Sequence, residues 1–506
     1  MNRDGALESL WQSGMPAYES KSAKLPEKVD VAIVGGGITG LTTAYLLQKA
    51  GRKCTVLEAK NIGFGTTGGT TAHLNTLMDT PYDQIISKFN LEAAQLVAKG
   101  TKQALAFIEH FITSRAVDCG FEKAAACVFS QDDEQAEELK SMVAAAIKVG
   151  LQAEFVNEIS VPISFKTAAQ FPEQAKFHPL KYLYEMANAF QEAGGEIIQD
   201  CRVRDVASDG AMATITTSKG NIKASKVVYA THIPPGVNLL HFYCAPYRSY
   251  ALSVKLEDEN SYPDDLVYDM WNPYHYYRTQ VVNGEKYLIA GGEDHKTGHE
   301  ENTNSCIRNL EAYVRSHFKV KQVVHAWSSQ FFNSVDGLPY IGHLPGNAEN
   351  VFVATGFGGN GMTYGTLSAL VLADLLTTGE SEYKLLFLPS RVKPIAGFTD
   401  LMKEGADVVA QLFGGWLSID KISELADIAK GEAKVVRYDN KALALYKDEN
   451  GKVFALNPSC PHIKCTVSWN IAEKSWDCPC HGSRFAHTGE LLTGPARTDL
   501  EKLELR

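Results

Sequence analysis

The stretch "VDVAIVGGGITGLTTAYLLQKAG", residues 29–51, contains the pattern that decides the fold of most of this 506-residue chain. Residues 29–34 form an apolar run that predicts a buried parallel strand, and the glycine-rich turn after it leads into a segment with helical apolar spacing. The next apolar run, "CTVLEA", predicts a second strand that ends on Glu58, 18 residues after the last glycine of the turn. The pattern therefore predicts a strand–helix–strand unit that binds a dinucleotide.

Each conspicuous residue of this unit has a physical role. Gly35 permits the tight turn, Gly37 lets the backbone approach the pyrophosphate, and Gly40 lets the helix pack on the strand. The helix N-terminus favours the phosphate charge, and Glu58 is expected to accept a hydrogen bond from a ribose hydroxyl. Further cofactor contacts are expected at Ile38, Thr39 and Ala59.

Four downstream segments favour FAD over NAD. A small-residue loop covers residues 62–75, and a strand that ends in a turn covers residues 227–232. "DGLPYIG", residues 336–342, precedes another strand and a glycine-rich turn within residues 351–376. The helix that opens near Gly361 points its amides at something electron-rich, as the pyrimidine end of a flavin is after reduction.

With these motifs, the chain from residue 29 to about 390 resembles the D-amino-acid-oxidase-like family of FAD oxidoreductases, which includes glycine, sarcosine and amine oxidases. The matching pieces are GGGITG, VLEA, GTTGGTTA, ATH, DGLPYIG and ATGFGGNG. The resemblance implies an α/β Rossmann-like FAD-binding domain, built from segments at about 29–80, 200–235 and 335–380, with an inserted α+β substrate domain. The expected FAD contacts in these segments are Thr66, Thr67, Thr70, Thr71, Ala72, Val203, Ala230, Thr231, Gly356, Gly359, Asn360, Gly361 and Met362.

The expected substrate residues depart from the family pattern. The family usually places a carboxylate-binding arginine shortly before the DGLP segment, but here Phe331 lies near that place. Arg278 in "YHYYRTQ" and Arg248 in "PYRSY" are candidates because tyrosines flank both; surface ion pairs are the alternative interpretation. An amine without a carboxylate is equally compatible, since an aromatic cage holds a cation. His73 and His232 are expected near the flavin by position, with a structural role as the alternative.

A second cluster of polar residues lies in "GGEDHKTGHE", residues 291–300. Asp294, His295 and His299 are the residue types of an iron site with two histidines and one carboxylate. The glycines that bound the segment favour an ordinary turn instead, so this site is the weaker interpretation.

Two short segments near the end of the chain, "CPHIKC" at 460–465 and "CPCHGS" at 478–483, each hold two cysteines and a histidine. The spacing C-x-H, then fifteen residues, then C-x-x-H differs from common zinc spacings. It fits a Rieske [2Fe–2S] cluster in two loops of a small β domain, with zinc and disulfides as the alternatives. The expected ligands are Cys460 and Cys478 for one iron and His462 and His481 for the other.

The surrounding sequence resembles Rieske proteins over about residues 418–506. The resemblance to the cytochrome bc type implies a disulfide between Cys465 and Cys480 that clamps the two loops. Ser483 matches the serine that hydrogen-bonds a cluster sulfur in the high-potential class, whereas Phe485 stands where that class has a tyrosine. The resemblance therefore implies a potential below that class and well above plant-type ferredoxins.

The expected organisation is an oxidoreductase over residues 1–390, a helical linker over 391–417 and an all-β Rieske domain over 418–506. The net charge of −10 argues against a nucleic-acid-binding protein. No apolar run is long enough to predict a transmembrane segment, and the apolar stretch at 408–419 is expected to be a buried or docking helix. Without a secretory signal, we expect a cytoplasmic protein.

A flavin takes up two electrons together, whereas an iron–sulfur cluster carries one at a time. The two expected cofactors therefore indicate a protein that splits an electron pair. We expect FAD to oxidise the C–N bond of an amine or amino-acid-like small molecule, and the cluster to pass the electrons singly to an external acceptor. In the first alternative, an external donor feeds electrons through the cluster to a reducing or oxygen-activating flavin. In the second, the chain is a non-catalytic redox-responsive or electron-transfer protein.

Overall fold

The computed structural model describes residues 3–22, 24–391 and 427–505, together with residues 407, 411, 420 and 421. We call residues 3–391 the N-terminal half and residues 420, 421 and 427–505 the C-terminal module. The helical linker predicted for residues 391–417 and the apolar stretch 408–419 lie outside the described residues, apart from positions 391, 407 and 411.

An eight-stranded sheet forms the first layer of the N-terminal half. Its strands are β1 (Lys28–Val34), β2 (Cys54–Leu57), β7 (Glu196–Ile198), β8 (Val203–Ser208), β9 (Ala213–Thr217), β10 (Gly220–Tyr229), β16 (Tyr340–His343) and β17 (Val351–Thr355). β1 pairs in parallel with β2 and β10, and β7 and β17 extend the parallel order on either side. The carboxyl ends of these strands meet at one edge of the sheet, which is where a doubly wound fold binds its ligand.

A nine-stranded mixed sheet forms the second layer. Its strands are β3 (His73–Leu74), β4 (Glu122–Ser130), β5 (Glu154–Val156), β6 (Thr167–Lys176), β11 (Cys244–Leu256), β12 (Leu266–Tyr268), β13 (Tyr276–Val282), β14 (Glu285–Lys296) and β15 (Val320–Ser334). β4 and β12 pair in parallel, and the other neighbours pair antiparallel. A Rossmann-like sheet with a large inserted mixed sheet is the fold class that the sequence predicts.

Helices cover both sheets. They are α1 (Ile38–Lys49), α2 (Thr66–Gly69), α3 (Tyr82–Lys88), α4 (Leu91–Arg115), α5 (Asp133–Lys148), α6 (Pro179–Glu192), α7 (Thr303–His317) and α8 (Gly361–Thr377). The side chains of Asn90 and Asp132 accept hydrogen bonds from first-turn amides and so fix where α4 and α5 begin. None of the helices in the described part of the chain is both long and apolar enough to span a membrane.

The C-terminal module consists of two small four-stranded sheets. The first contains β18 (Asp420–Lys421), β19 (Ala433–Tyr438), β20 (Lys441–Lys447) and β21 (Val453–Leu456). The second contains β22 (Ser468–Asn470), β23 (Ser475–Asp477), β24 (Arg484–Ala486) and β25 (Leu491–Thr493). The predicted all-β architecture of this end of the chain is therefore confirmed.

A buried charge network joins the module to the N-terminal half. Its members are three arginines and three carboxylates: Arg3, Asp4, Arg248, Glu473, Asp477 and Arg484. Arg484 pairs with Asp4 at 3.1 Å, and Arg3 pairs with Glu473 at 3.2 Å. These contacts cross from the first residues of the chain to the module, and equal numbers of positive and negative groups make them tolerable without water.

Candidate functional site

A cavity of about 580 Å³ begins at the carboxyl edge of the parallel strands and reaches the mixed sheet. Most of the predicted dinucleotide contacts line it: Gly35, Gly37, Ile38, Thr39, Glu58, Ala59, Thr66, Thr67, Thr70, Thr71, Val203, Ala230, Thr231, Gly359, Asn360, Gly361 and Met362. Three predicted contacts do not line it. Gly40 packs against the turn, Ala72 is buried behind the wall, and Gly356 lines a neighbouring cavity of about 540 Å³.

Two glycines of the turn are required because the backbone packs closely against itself there. A Cβ atom on Gly35 would lie 2.5 Å from the Ala230 carbonyl oxygen, and one on Gly40 would lie 2.0 Å from the Gly35 carbonyl oxygen. Helices α1 and α8 both begin at the cavity, and the side chain of neither N-cap residue accepts a hydrogen bond from them. Uncapped first turns leave N–H donors for an electron-rich ligand. This set of donors fits the pyrophosphate and flavin ring of FAD.

Glu58 is fixed at the wall of the cavity by two backbone amides. Its carboxylate accepts hydrogen bonds from the amides of Gly36 at 2.7 Å and Lys60 at 2.8 Å. Burial raises the pKa of Glu58, and these two N–H groups act in the opposite direction. The arrangement orients an acceptor at the position where the motif predicts the ribose.

The structure places one of the three predicted substrate residues in the cavity. His232 lines it, and its Nδ1 atom lies 3.1 Å from the Thr66 hydroxyl. Burial lowers the pKa of His232 to about 4, so the ring is neutral at neutral pH. Arg278 instead donates to the carbonyl oxygens of Thr71 and Ala72, at 2.9 and 2.6 Å, and so supports the small-residue loop that forms part of the cavity wall.

Arg248 also lies away from the cavity. Its guanidinium donates to the Ser328 hydroxyl at 2.7 Å and lies 3.5 Å from the Asp477 carboxylate, so it belongs to the charge network. The structure thus places neither arginine in the cavity. Both are fully buried, so neither forms the surface ion pair of the alternative interpretation.

The end of the cavity against the mixed sheet has a character that the motifs did not predict. Two carboxylates, Asp79 and Asp294, and three tyrosines line it; the tyrosines are Tyr268, Tyr274 and Tyr276. Burial raises the pKa of Asp294 to about 7. The arginines among the described lining residues, Arg202 and Arg497, lie at the opposite end. The sequence signal was the run of tyrosines before Arg278, which includes Tyr274 and Tyr276. No spacing in the sequence relates Asp79 to that run.

The alternative iron site is not assembled. Asp294 lines the cavity, whereas His295 has its Nε2 atom 2.9 Å from the Tyr250 hydroxyl. Within the ranges that the structure describes, these residues form no group with metal-binding distances.

The two cysteine–histidine loops meet in the C-terminal module. The Cys460 and Cys478 thiols contact each other, and the rings of His462 and His481 have centroids 4.9 Å apart. The Nδ1 atoms of both histidines are buried and have no hydrogen-bond partner among the described residues. Burial lowers the pKa of His462 to about 4 and that of His481 to about 3, which keeps both rings neutral as metal ligands require. Two thiols and two imidazoles with unpartnered Nδ1 atoms fit a [2Fe–2S] cluster of the Rieske type.

A disulfide between Cys465 and Cys480 joins the two loops, with Cα atoms 6.5 Å apart. The Cys478 sulfur lies within 4.8 Å of both of these sulfurs. Because Cys465 and Cys480 are bonded to each other, neither is free to bind a metal, which leaves the four predicted ligands.

The histidine edge of this site faces the N-terminal half. His462 Nε2 lies 3.2 Å from the Gly236 carbonyl oxygen, and the His241 ring lies 4.7 Å from the His462 ring. The segment that ends at Gly236 begins at Ala230, which lines the large cavity, so residues 230–236 connect the two sites directly. His241 was not predicted, because its role depends on which surface the module covers.

Comparisons with known proteins agree with both sites. The family model described as FAD dependent oxidoreductase matches residues 30–375, and the Rieske [2Fe-2S] domain model matches residues 415–504. The chain is 31% identical over 502 residues to the putative Rieske 2Fe-2S iron-sulfur protein YhfW of Bacillus subtilis, covering 99% of this chain and 98% of that protein.

Two further comparisons concern the N-terminal part of the chain. The gamma-glutamylputrescine oxidoreductase of Escherichia coli is 23% identical over 371 residues, which is 70% of this chain and 84% of that protein. The fold of glycine oxidase from Geobacillus kaustophilus superposes with a TM-score of 0.61 and 19% identity, over 72% of this chain and 100% of that one.

Proposed function

We propose a reaction for this chain, which belongs to the family of FAD-dependent oxidoreductases and ends in a Rieske [2Fe–2S] domain: it oxidises a C–N bond and delivers the electrons one at a time. FAD, when bound, would supply a hydride acceptor, and the cluster would supply a carrier of single electrons. The amine or amino-acid-like substrate loses a hydride from the carbon beside the nitrogen and a proton from the nitrogen to become an imine, which water hydrolyses to a carbonyl compound and ammonia or an amine. The two electrons leave to an external one-electron acceptor.

The segment 230–236 is the observation that carries this proposal. Ala230, Thr231 and His232 line the cavity, and the Gly236 carbonyl accepts a hydrogen bond from His462. Hydrogen bonds from a metal-binding histidine to a backbone carbonyl orient the ring and tune its basicity. The same short segment therefore contacts the proposed flavin site and the proposed cluster site, as transfer between them requires.

We assign the cofactor contacts to the predicted residues that line the cavity and the cluster to Cys460, His462, Cys478 and His481. For the substrate, the carboxylates of Asp79 and Asp294 and the neighbouring tyrosines support a cationic amine. The name of the Escherichia coli relative, gamma-glutamylputrescine oxidoreductase, agrees with this class.

Asp294 is our candidate for the residue that accepts a proton from the substrate. An ammonium ion lacks the lone pair that assists hydride loss, so it must first give up a proton. Burial raises the pKa of Asp294 to about 7, which suits a base that works near neutral pH. Asp79 accepts a hydrogen bond from the Gly359 amide at 2.6 Å, and this fixed carboxylate serves to hold the cation.

Anaerobic mixing with a panel of amines and amino acids tests the proposal. We expect amines to bleach the flavin absorbance first and to produce the electron paramagnetic resonance (EPR) signal of the reduced cluster afterwards. Cluster reduction only by an added reductase would support the reverse direction of flow. Failure of every compound to bleach the flavin would support a non-catalytic electron-transfer protein.

A further inference from the structure

We infer that the C-terminal module completes the FAD site, with residues 491–497 covering the adenosine end of the cofactor. The residues of the module that line the large cavity are Leu491, Leu492, Thr493, Gly494, Ala496 and Arg497. None of them belongs to the dinucleotide motifs, which all lie in the N-terminal half. The inference concerns cofactor binding alone and is independent of the proposed substrate and direction of electron flow.

The position of this segment relative to Glu58 identifies the end of FAD that it covers. The motif places the ribose at Glu58 and, by family resemblance, the adenine at the backbone of Val203. Arg202, which precedes Val203, donates to the Leu491 carbonyl oxygen at 2.6 Å. On the other side of the cavity wall, Lys60 forms an ion pair with Glu490. Strand β25 therefore begins directly beside the residues assigned to the adenosine.

Leu492 is an apolar side chain whose protein partners are missing. Its neighbour Leu491 packs into the hydrophobic core of the module with Trp476 and Phe485. The pairing of β24 with β25 shifts its register at Leu492, which leaves this residue without a cross-strand partner. Leu492 is half-buried, lines the cavity and belongs to no hydrophobic cluster of the residues that the structure describes. An apolar side chain beside a cavity in this way fits one face of an aromatic base.

Thr493 also supports binding of the adenosine at this end of the cavity. It lines the cavity, and its hydroxyl oxygen is buried without a hydrogen-bond partner in the described parts of the chain. A buried hydroxyl without a partner is costly, and a rotation about the Cα–Cβ bond would turn it towards a polar ligand.

Contacts beyond the strand hold the segment in place. The Gly236 amide donates to the Pro495 carbonyl oxygen at 2.9 Å, and Arg497 pairs with Asp205 at 2.6 Å. These contacts fasten the segment on both sides and keep it at this end of the cavity. The module would then retain FAD as well as hold the cluster.

The experiment uses protein that holds the cluster but has been freed of FAD. Quenching of flavin fluorescence on addition of FAD gives the dissociation constant. Leu492→Ala is expected to raise the dissociation constant about tenfold, which is about 1.4 kcal/mol. The matched control is Leu503→Ala, since Leu503 is also a half-buried leucine of the module but packs in its far core. The control should bind FAD like the unchanged protein, and the EPR signal of the reduced cluster should persist in both variants.

A second pair of variants decides the matter if Leu492→Ala fails to fold. Thr493→Val preserves shape and is expected to raise the dissociation constant about threefold, the scale of one hydrogen bond. Its control is Thr466→Val, which removes another buried and unpartnered hydroxyl that lies in the module but outside the cavity. Equal affinity in all four variants would overturn the inference. So would an equal loss in variants and controls, because it would reflect the stability of the module alone.

Discussion

The two cofactor sites of this protein are built in opposite ways. The four proposed cluster ligands all lie within residues 460–481, in two loops that a disulfide and backbone hydrogen bonds within the module stabilise. The cavity takes its walls from segments spread between Asp4 and Arg497, in both sheets and in the module. A local site should survive changes elsewhere in the chain, whereas a dispersed site should depend on how its parts dock. This difference can be tested from both sides.

The largest effect is expected from a change that removes the local cluster site and leaves the dispersed FAD cavity intact. His481→Ala deletes a proposed iron ligand, so we expect complete loss of the cluster absorbance and EPR signal. FAD content, measured after gel filtration, should stay close to that of the unchanged protein because the flavin walls do not include His481. His487→Ala is the control, since His487 packs against Tyr446 and Phe454 away from the cluster. Loss of FAD along with the cluster would break the comparison.

The second prediction acts within the cavity. Asp294→Asn removes the proposed base, so kcat/KM for an amine substrate should fall by roughly 10²–10⁴. The acid has a pKa of about 7, and only its ionised form accepts a proton, so kcat/KM of the unchanged enzyme should rise with pH through about 7 and then level off. The variant should lack this rising limb while its cluster potential is unaltered. A retained limb near pH 7 would exclude Asp294 as the base.

The third prediction loosens the docking between the two regions. Glu473→Gln leaves Arg3 and Arg248 in the charge network without a full counter-charge, which should cost about 3–5 kcal/mol of unfolding free energy. We expect weaker FAD binding with an unchanged cluster EPR spectrum, because only the dispersed site spans the interface. Glu311→Gln removes an exposed ion pair with Arg315 and should cost less than about 1 kcal/mol in denaturant titrations. A cluster that is lost while FAD stays bound would reverse the assignment of local and dispersed sites.

The smallest expected effect is confined to the cluster. Phe485 is fully buried in the same core cluster as Cys460 and Cys478. Phe485→Tyr restores a hydroxyl near the iron–sulfur loops and should raise the cluster potential by about 40 mV, which is about 1 kcal/mol for one electron. Redox titration followed by EPR measures the shift, with Phe454→Tyr as the control in the same module. An unchanged or lowered potential would refute the explanation of Phe485 as the residue that lowers the potential.

The difference between a local and a dispersed site also explains which residues could be predicted from the sequence. The glycine-rich turn, Glu58 and the two cysteine–histidine loops are short patterns whose geometry follows from their own spacing. Asp79 and Asp294 come from distant segments that meet only in the folded chain, so no spacing relates them. The module's contribution to the cavity was equally hidden, because it depends on a docking surface rather than a motif.

The two arginines show where local reasoning failed. On β11 the cavity is lined by Ser249 and Ala251. Because successive side chains of a strand alternate between its faces, Arg248 points to the opposite face and joins the charge network there. Arg278 supports the small-residue loop by donating to the backbone carbonyls of Thr71 and Ala72, a role that flanking tyrosines do not reveal.

The charge network also has a consequence for how this chain is made. Arg3 and Asp4 bind Glu473 and Arg484, partners that lie 470 and 480 positions away in the sequence. During synthesis, about 470 further residues must follow Arg3 before Glu473 exists, and Arg484 follows later still. Closure of so long a loop is slow. The docking of Arg3 and Asp4 on the C-terminal module is therefore expected to be among the last steps of folding.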